Sequence, residues 1–228
     1  MTTVADALRL QELDPMLTGY VAKLTVSTYE DFVIGLYDKI KKSISVLENH
    51  KHIIEDESED ATTNRIIMFL EGAGFKARQQ SAGGNVDIYI ENLEHGYKWI
   101  GEAKKYESVT NMASGFKQLT TRYAFGTDKN GKGYGALIGY LRRPNSKHHI
   151  DEWKKKISIL PEATNVKFLN CARMAPFAFI SEHDHQSTGF PYETWHICVQ
   201  LHVDPKDASG VNSKAGKERA AKAAISGK

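Results

Sequence analysis

Polar and apolar side chains alternate with period two through Asn85-Val86-Asp87-Ile88-Tyr89-Ile90-Glu91 and again through Lys98-Trp99-Ile100-Gly101-Glu102-Ala103-Lys104. Successive side chains of a strand point to opposite faces, so each run predicts a β-strand. The polar stretch Asn92 to Gly96 predicts the turn that joins them. Elsewhere the period lengthens. Val33, Leu36, Ile40, Ile44 and Leu47 form an apolar stripe at helical spacing over 28–49, and Ile150, Trp153, Ile157 and Leu160 form another over 146–160. Residues 3–24 are also helical in pattern, broken at Asp14-Pro15, an N-cap followed by proline at the first helical position. Ser58 to Glu71 and Thr110 to Tyr123 predict two more helices. Phe75 to Gln80 and Tyr134 to Leu141 predict two more strands, and 173–181 with 194–203 predict a late β-hairpin that extends the same sheet. From Lys206 the chain is rich in Ala, Gly, Ser and Lys, which predicts a mobile or weakly helical tail. The fold class expected is α/β, an α+β arrangement on a mixed sheet. It divides into an N-terminal helical segment over 1–55, a central domain over 56–205 and a basic tail over 206–228.

The first hairpin concentrates the candidate chemistry. Asp87 shares a strand face with Asn85, Tyr89 and Glu91, and Glu102 shares one with Lys98, Ile100 and Lys104. A hairpin symmetric about its turn sets Asp87 opposite Glu102, with Cβ atoms about 5 Å apart. A slip of two residues keeps the group on one face, whereas a slip of one disperses it. Two carboxylates at one point, with no Cys or His beside them, suit Mg²⁺, with Mn²⁺ as a substitute, better than zinc. Such an ion lowers the pKa of a bound water and neutralises phosphoryl charge. Lys104 stands two residues along the same face, placed to orient that water or to stabilise developing negative charge. The same residues also describe an ordinary exposed hairpin in which Lys104 makes a salt bridge to its neighbours.

An Asp near the start of one strand, followed by Glu-x-Lys on the paired strand, resembles the PD-(D/E)xK nuclease superfamily. Its restriction endonuclease-like members include archaeal Holliday-junction resolvases and recombination exonucleases. The resemblance covers about residues 58–141, and Val86 stands where the proline of the family's name would be. It implies a core of helix, three-stranded meander, helix and strand (αβββαβ), which the predicted elements follow in order. It further implies Asp87 and Glu102 as metal ligands, joined by the Ala103 carbonyl, and Lys104 as the residue that positions the water. Members often carry a Glu on the first helix that turns toward the metal. Glu59 fits that place, on a stripe with Thr63, Ile66 and Leu70, with Glu55 the alternative. Asp56-x-x-Glu59 also resembles a capping box. Some subfamilies carry Gln-x-x-x-Tyr on the second helix. Here Tyr123 lies one residue too far from Gln118, which leaves Gln118 as a substrate contact and Tyr123 as core. Lys105 points to the other face and reads as structural.

The activity implied is a metal-dependent nuclease that hydrolyses phosphodiester bonds. DNA is the expected polymer and RNA the second, and the expected setting is an endonuclease effector subunit of a restriction or anti-phage defence system. A resolvase or repair nuclease is the next reading. A non-catalytic nucleic-acid- or protein-binding module on the same fold belongs to a different class. No helix-turn-helix or zinc finger is evident, so specificity is expected from loops, a homodimer or a partner subunit.

Composition adds bounds. The 228 residues, 41% hydrophobic, suffice for one good core with appendages. A net charge of +2 does not by itself announce nucleic acid. Its distribution points to Arg142, Arg143 and Lys147, then Lys154 to Lys156 and the tail's Lys214, Lys217, Arg219, Lys222 and Lys228, as candidates to hold phosphates. For 154–156 a solvated helix face is the other reading. Cys171 and Cys198 are too few for a disulfide framework, although they allow one bridge. No apolar run approaches the roughly 20 residues of a membrane helix, and no leader resembles a signal peptide. A cytoplasmic protein without membrane attachment is therefore expected. Gly126-x-x-x-x-Gly131-Lys132 lacks the Ser/Thr of a P-loop and precedes a strand, which sets it aside. His183, His185, His196 and His202 fall on or beside the late hairpin, where zinc binding competes with scattered polar histidines.

Overall fold

The computed structural model describes Arg9 and residues 26–81, 85–121, 127–128, 130–206 and 211–226. Apart from Arg9, the helix expected over 3–24 lies outside the described residues, as do Tyr123, Gly126 and Lys228. Helix α1 spans Tyr29–Asn49 and begins at Thr28, whose extended backbone and hydroxyl cap the first turn. Thr28 Oγ1 accepts from the Asp31 amide at 3.1 Å, and the Asp31 carboxylate accepts from the Thr28 amide at 3.1 Å, a complete capping box. Its apolar stripe, Val33 to Leu47, is buried as predicted. Tyr29 and Tyr37 on α1 donate their hydroxyls to the carbonyls of Lys98 at 2.6 Å and Gly135 at 2.8 Å, so α1 is pinned to the sheet at two points.

Helix α2 (Glu59–Gly72) leads into the meander β1 (Lys76–Ser81), β2 (Asn85–Asn92) and β3 (Tyr97–Lys105). Helix α3 (Val109–Thr121) then carries the chain to β4 (Gly133–Leu141), followed by α4 (Ser146–Ile157), β5 (Lys167–Leu169), β6 (Ala178–Asp184), β7 (Pro191–Gln200) and α5 (Lys214–Ser226). The molecule is α/β, with a mixed seven-stranded sheet in the order β1-β2-β3-β4-β7-β6-β5 and five helices among the described residues. Strand β4 runs parallel to both β3 and β7, and the remaining pairs are antiparallel. Every residue of β4 is buried, as its nearly continuous apolar sequence requires of a parallel strand covered on both faces.

Two cores flank the sheet. One gathers Leu36, Ile40, Ile66 and Leu70 from α1 and α2 against Ile88, Ile90, Trp99, Ile138 and Tyr140. The other gathers Met112, Phe116 and Leu119 from α3 and Ile150, Trp153 and Ile157 from α4 against Ile100, Leu137 and Phe179. The late hairpin extends the sheet as expected, but its strands are β6 and β7 rather than 173–181 and 194–203, and the short edge strand β5 was not foreseen. The tail forms a helix at 214–226. Arg219 reaches Glu55 at 2.8 Å and Lys222 reaches Asp56 at 2.6 Å, which occupies two of its basic groups. Cys171 and Cys198 are both free and buried. No helix among the described residues is long and apolar enough to cross a membrane.

Candidate active site

The register of the first hairpin is the one its symmetry predicted. Ile88 pairs with Gly101, Tyr89 with Ile100, and so on to Asn92 with Tyr97. The ladder stops one residue short of Asp87, where β2 bulges against β1 and the Asp87 carboxylate itself takes the Ala103 amide. Lys104 Nζ lies 2.6 Å from Glu102 Oε1, 3.9 Å from Asp87 Oδ2 and 3.8 Å from Glu59 Oε1. Three carboxylates from β2, β3 and the first turn of α2 thus converge on one ammonium at the end of β3. Backbone amides orient two of them: the Ala103 N–H donates to Asp87 Oδ2 at 2.8 Å, and the Lys105 N–H donates to Glu59 Oε2.

Glu59 reaches this point because α2 begins there. Its N-cap is Ser58, which accepts from the Ala61 amide, so the capping box expected between Asp56 and Glu59 does not form. Glu59 is instead the first helical residue, free to turn toward β3 while Thr63, Ile66 and Leu70 pack beneath it. Glu55, the alternative, faces the tail helix through Arg219 and stands outside the cluster.

The cluster is sheltered. Side-chain exposure is 2% for Glu102, 15% for Lys104, 19% for Asp87 and 31% for Glu59, so water enters from the Asp87 and Glu59 side. Burial pushes the Asp87 carboxyl above its usual range. The Ala103 amide and Lys104 pull it back, while Glu59 and Asp60 push it further up. Burial works against the Lys104 ammonium, but the hydrogen bond and charge of Glu102, with the charges of Asp87 and Glu59, outweigh it and raise its pKa. The ion pairs recorded for Glu59, Asp87 and Glu102 all meet at the Lys104 ammonium. Hard oxygen donors with an open side suit Mg²⁺ or Mn²⁺. Among the described residues no group of three or more His, Cys, Asp or Glu side chains is disposed as a ready metal cage. The carboxylates face Lys104 instead, so a cation bound by Asp87 and Glu102 would compete with the ammonium for Glu102.

Of the residues expected to contact nucleic acid, Arg142 turns inward. The Arg142 guanidinium is spent on the chain itself: Nη1 donates to the Glu55 carbonyl and, at 2.8 Å, to the Glu57 carbonyl, while Nη2 reaches Thr62 Oγ1 at 3.3 Å. Arg142 therefore holds the loop before α2, and with it the starting position of Glu59. Arg143 and Lys147 are exposed, the latter 2.5 Å from Asp151, and Gln118 is half-buried on α3. Lys155 pairs with Glu152, and the Lys154 ammonium lies over the Phe168 ring, which fits a solvated helix face. Lys132, set aside with the P-loop pattern, is bound between Glu182 and Glu193.

The histidines separate. His183, His185 and His196 are buried beside α3, whereas His202 turns to the Arg142 carbonyl. His196 donates or accepts at Ser181 Oγ, 2.7 Å away, and stacks on Phe179 with ring centroids 4.3 Å apart. His183 sits against Phe116 and Tyr192, and neither of its ring nitrogens meets a hydrogen-bond partner among the described residues. Burial, reinforced by His185, pushes its pKa down to about 4. An unfolded histidine titrates near 6.5, so the unfolded chain binds the proton first as pH falls. Stability is therefore full above pH 6.5 and is lost toward pH 4, by about 3 kcal/mol from His183 alone. Melting temperatures measured from pH 7 to pH 4 should fall, and should fall less steeply in His183→Gln. Equal slopes would remove His183 as the cause.

One contributor to the site was missed from sequence. Gly115 lies inside α3 on its buried side, and a Cβ there would stand 2.9 Å from Lys104 Cγ and 2.9 Å from Leu137 Cδ1. The available signal was a glycine in the apolar stripe of an amphipathic helix, which usually marks close packing. Comparisons with family models, with curated proteins and with solved structures return no match to this chain.

Proposed function

We propose that this chain is a metal-dependent nuclease of the PD-(D/E)xK type that hydrolyses phosphodiester bonds, in DNA before RNA. The observation that carries this reading is the meeting of Glu59, Asp87 and Glu102 around Lys104 at the end of β3. The order α2, three-stranded meander, α3 and β4 supports it, since that is the core such enzymes are built on. In this reading Asp87 and Glu102, with the Ala103 carbonyl, hold Mg²⁺ or Mn²⁺, and Glu59 completes the shell or orients its water. The ion supplies a bound water of lowered pKa and neutralises charge on the phosphoryl group.

The protein's own groups do the rest. The Ala103 and Lys105 amides fix the Asp87 and Glu59 carboxylates, so little reorganisation accompanies reaction. Lys104, held among the carboxylates on the side open to water, would donate to the attacking water or to a phosphoryl oxygen. The setting we assign is an effector subunit of a restriction or anti-phage system, whose target choice comes from a homodimer or a partner subunit.

The test is incubation of the purified protein with supercoiled, linear and single-stranded DNA and with RNA, in Mg²⁺, Mn²⁺ or EDTA. Cleavage in either metal but not in EDTA is the expected result. No cleavage of any polymer, while the protein is folded and metal is saturating, would leave a binding module on this fold.

A further inference from the structure

Lys104 has a long, flexible stem, yet its ammonium is held among three carboxylates, and something must confine that stem. Its lateral neighbour on β4 is Gly139, in register with Lys104, and Leu137 is in register with Glu102. Helix α3 lies directly over this part of the sheet. Met112 Cε would stand 3.1 Å from a Cβ at Gly139, so α3 is seated closely there. One turn along, Gly115 faces the sheet between Leu137 and Lys104. A Cβ on Gly115 would be 2.9 Å from Lys104 Cγ and 3.4 Å from Lys104 Cε, closer than side-chain carbons approach at the first of these. The backbone of α3 at Gly115 is thus a wall against which the whole Lys104 stem lies.

We propose that Gly115 is a positioning residue for Lys104. The absence of its Cβ leaves the slot in which the lysine stem lies, and so sets where the ammonium stands relative to Glu59, Asp87 and Glu102. Helix propensity argues in the opposite direction, since alanine is the better helix former at this interior position. A glycine there serves the contact, and any loss on substitution comes from crowding. The consequence for rate rests on the nuclease reading above, whereas the placement of the stem does not.

Gly115→Ala in the full chain tests it with two readouts. In protein labelled with ¹³C-lysine, the ε-carbon resonance missing from Lys104→Ala identifies Lys104, and Gly115→Ala should shift it. Single-turnover cleavage of duplex DNA in Mg²⁺ should fall about 10²-fold, as for a reacting group misplaced by about 1 Å. Gly115→Ala made in the Lys104→Ala background should lower the residual rate no further. The inserted methyl also meets Leu137, so Gly115→Ala/Leu137→Val relieves that side alone. The pair should recover the melting temperature but not the rate. An unmoved Lys104 resonance overturns the proposal, as does a rate that recovers together with the melt, which would assign Gly115 to packing. If the wild-type chain cleaves no polymer, the nuclease reading fails, and the resonance alone decides the role of Gly115.

Discussion

Asp87→Ala and Glu102→Ala are each expected to abolish Mg²⁺-dependent cleavage. The loss should be at least about 10³-fold, because several kcal/mol of metal-borne charge stabilisation leave with the ligand. The two positions fail in different ways. Asp87 is partly exposed, and its replacement strips the Ala103 amide of its partner. Glu102 is buried, so truncation leaves a void beside Lys104. Glu102→Gln keeps the volume and removes only the charge, and it separates metal loss from cavity formation. Melting curves beside single-turnover rates at saturating Mg²⁺ check both. Wild-type cleavage by either alanine variant would show that the site has been misassigned.

Lys104→Ala carries the second large effect. Turnover should fall about 10²–10³-fold, as when one electrostatic stabiliser is removed elsewhere. Divalent-ion affinity should hold or rise, because the ammonium that competes for Glu102 is gone. As an ordinary exposed salt bridge, Lys104 would contribute at most about 1 kcal/mol. The burial of this cluster changes that expectation. Lys104→Ala takes the ammonium away from the buried Glu102, and removing one partner of a buried pair costs about 3–5 kcal/mol. A melting shift alone therefore does not distinguish the two readings. Mg²⁺ does. In a metal site, millimolar Mg²⁺ replaces the lost charge and restores the melting temperature of Lys104→Ala while turnover stays low. In a structural salt bridge Mg²⁺ leaves the variant's melt where it was. That outcome would remove Lys104 and its carboxylates from catalysis together.

The site was legible to the extent that local rules governed it. Strand alternation put Glu102 and Lys104 on one face, and the symmetry of a short hairpin gave the register from Ile88 to Asn92, because a one-residue slip would have turned Ile88 and Ile90 out of their core. At Asp87 the alternation breaks, with Val86 in the second core and Ile88 in the first. Glu59 was legible for a related reason: the apolar stripe of α2 admits one orientation on the sheet, and its first turn then points at β3. The N-cap of α2 was misread, since Asp56 and Ser58 are both good caps. The helix starts one residue after Ser58, whose hydroxyl accepts from the Ala61 amide, while Asp56 pairs with Lys222 on the surface. Arg142 was misread more seriously. In sequence it is half of a basic dipeptide, whereas in the fold its guanidinium meets two carbonyls of a loop more than 80 residues earlier.

The sequence by itself determined the helices α1 to α4, the meander, the strand β4 and the shared face of Glu102 and Lys104. Each of these follows from side-chain periodicity and short-range pairing, which neighbours along the chain suffice to specify. The tertiary structure alone decided how many carboxylates reach Lys104, how deeply they are buried, and what confines the lysine. It also decided that three histidines lie in the second core rather than in loops, that Arg142 is a loop clamp, and that the tail folds onto Glu55 and Asp56. These outcomes depend on the approach of α2, α3 and α5 to the sheet. That approach is set by contacts between residues far apart in the chain, such as Gly115 against Lys104 and Leu137, which no local pattern encodes.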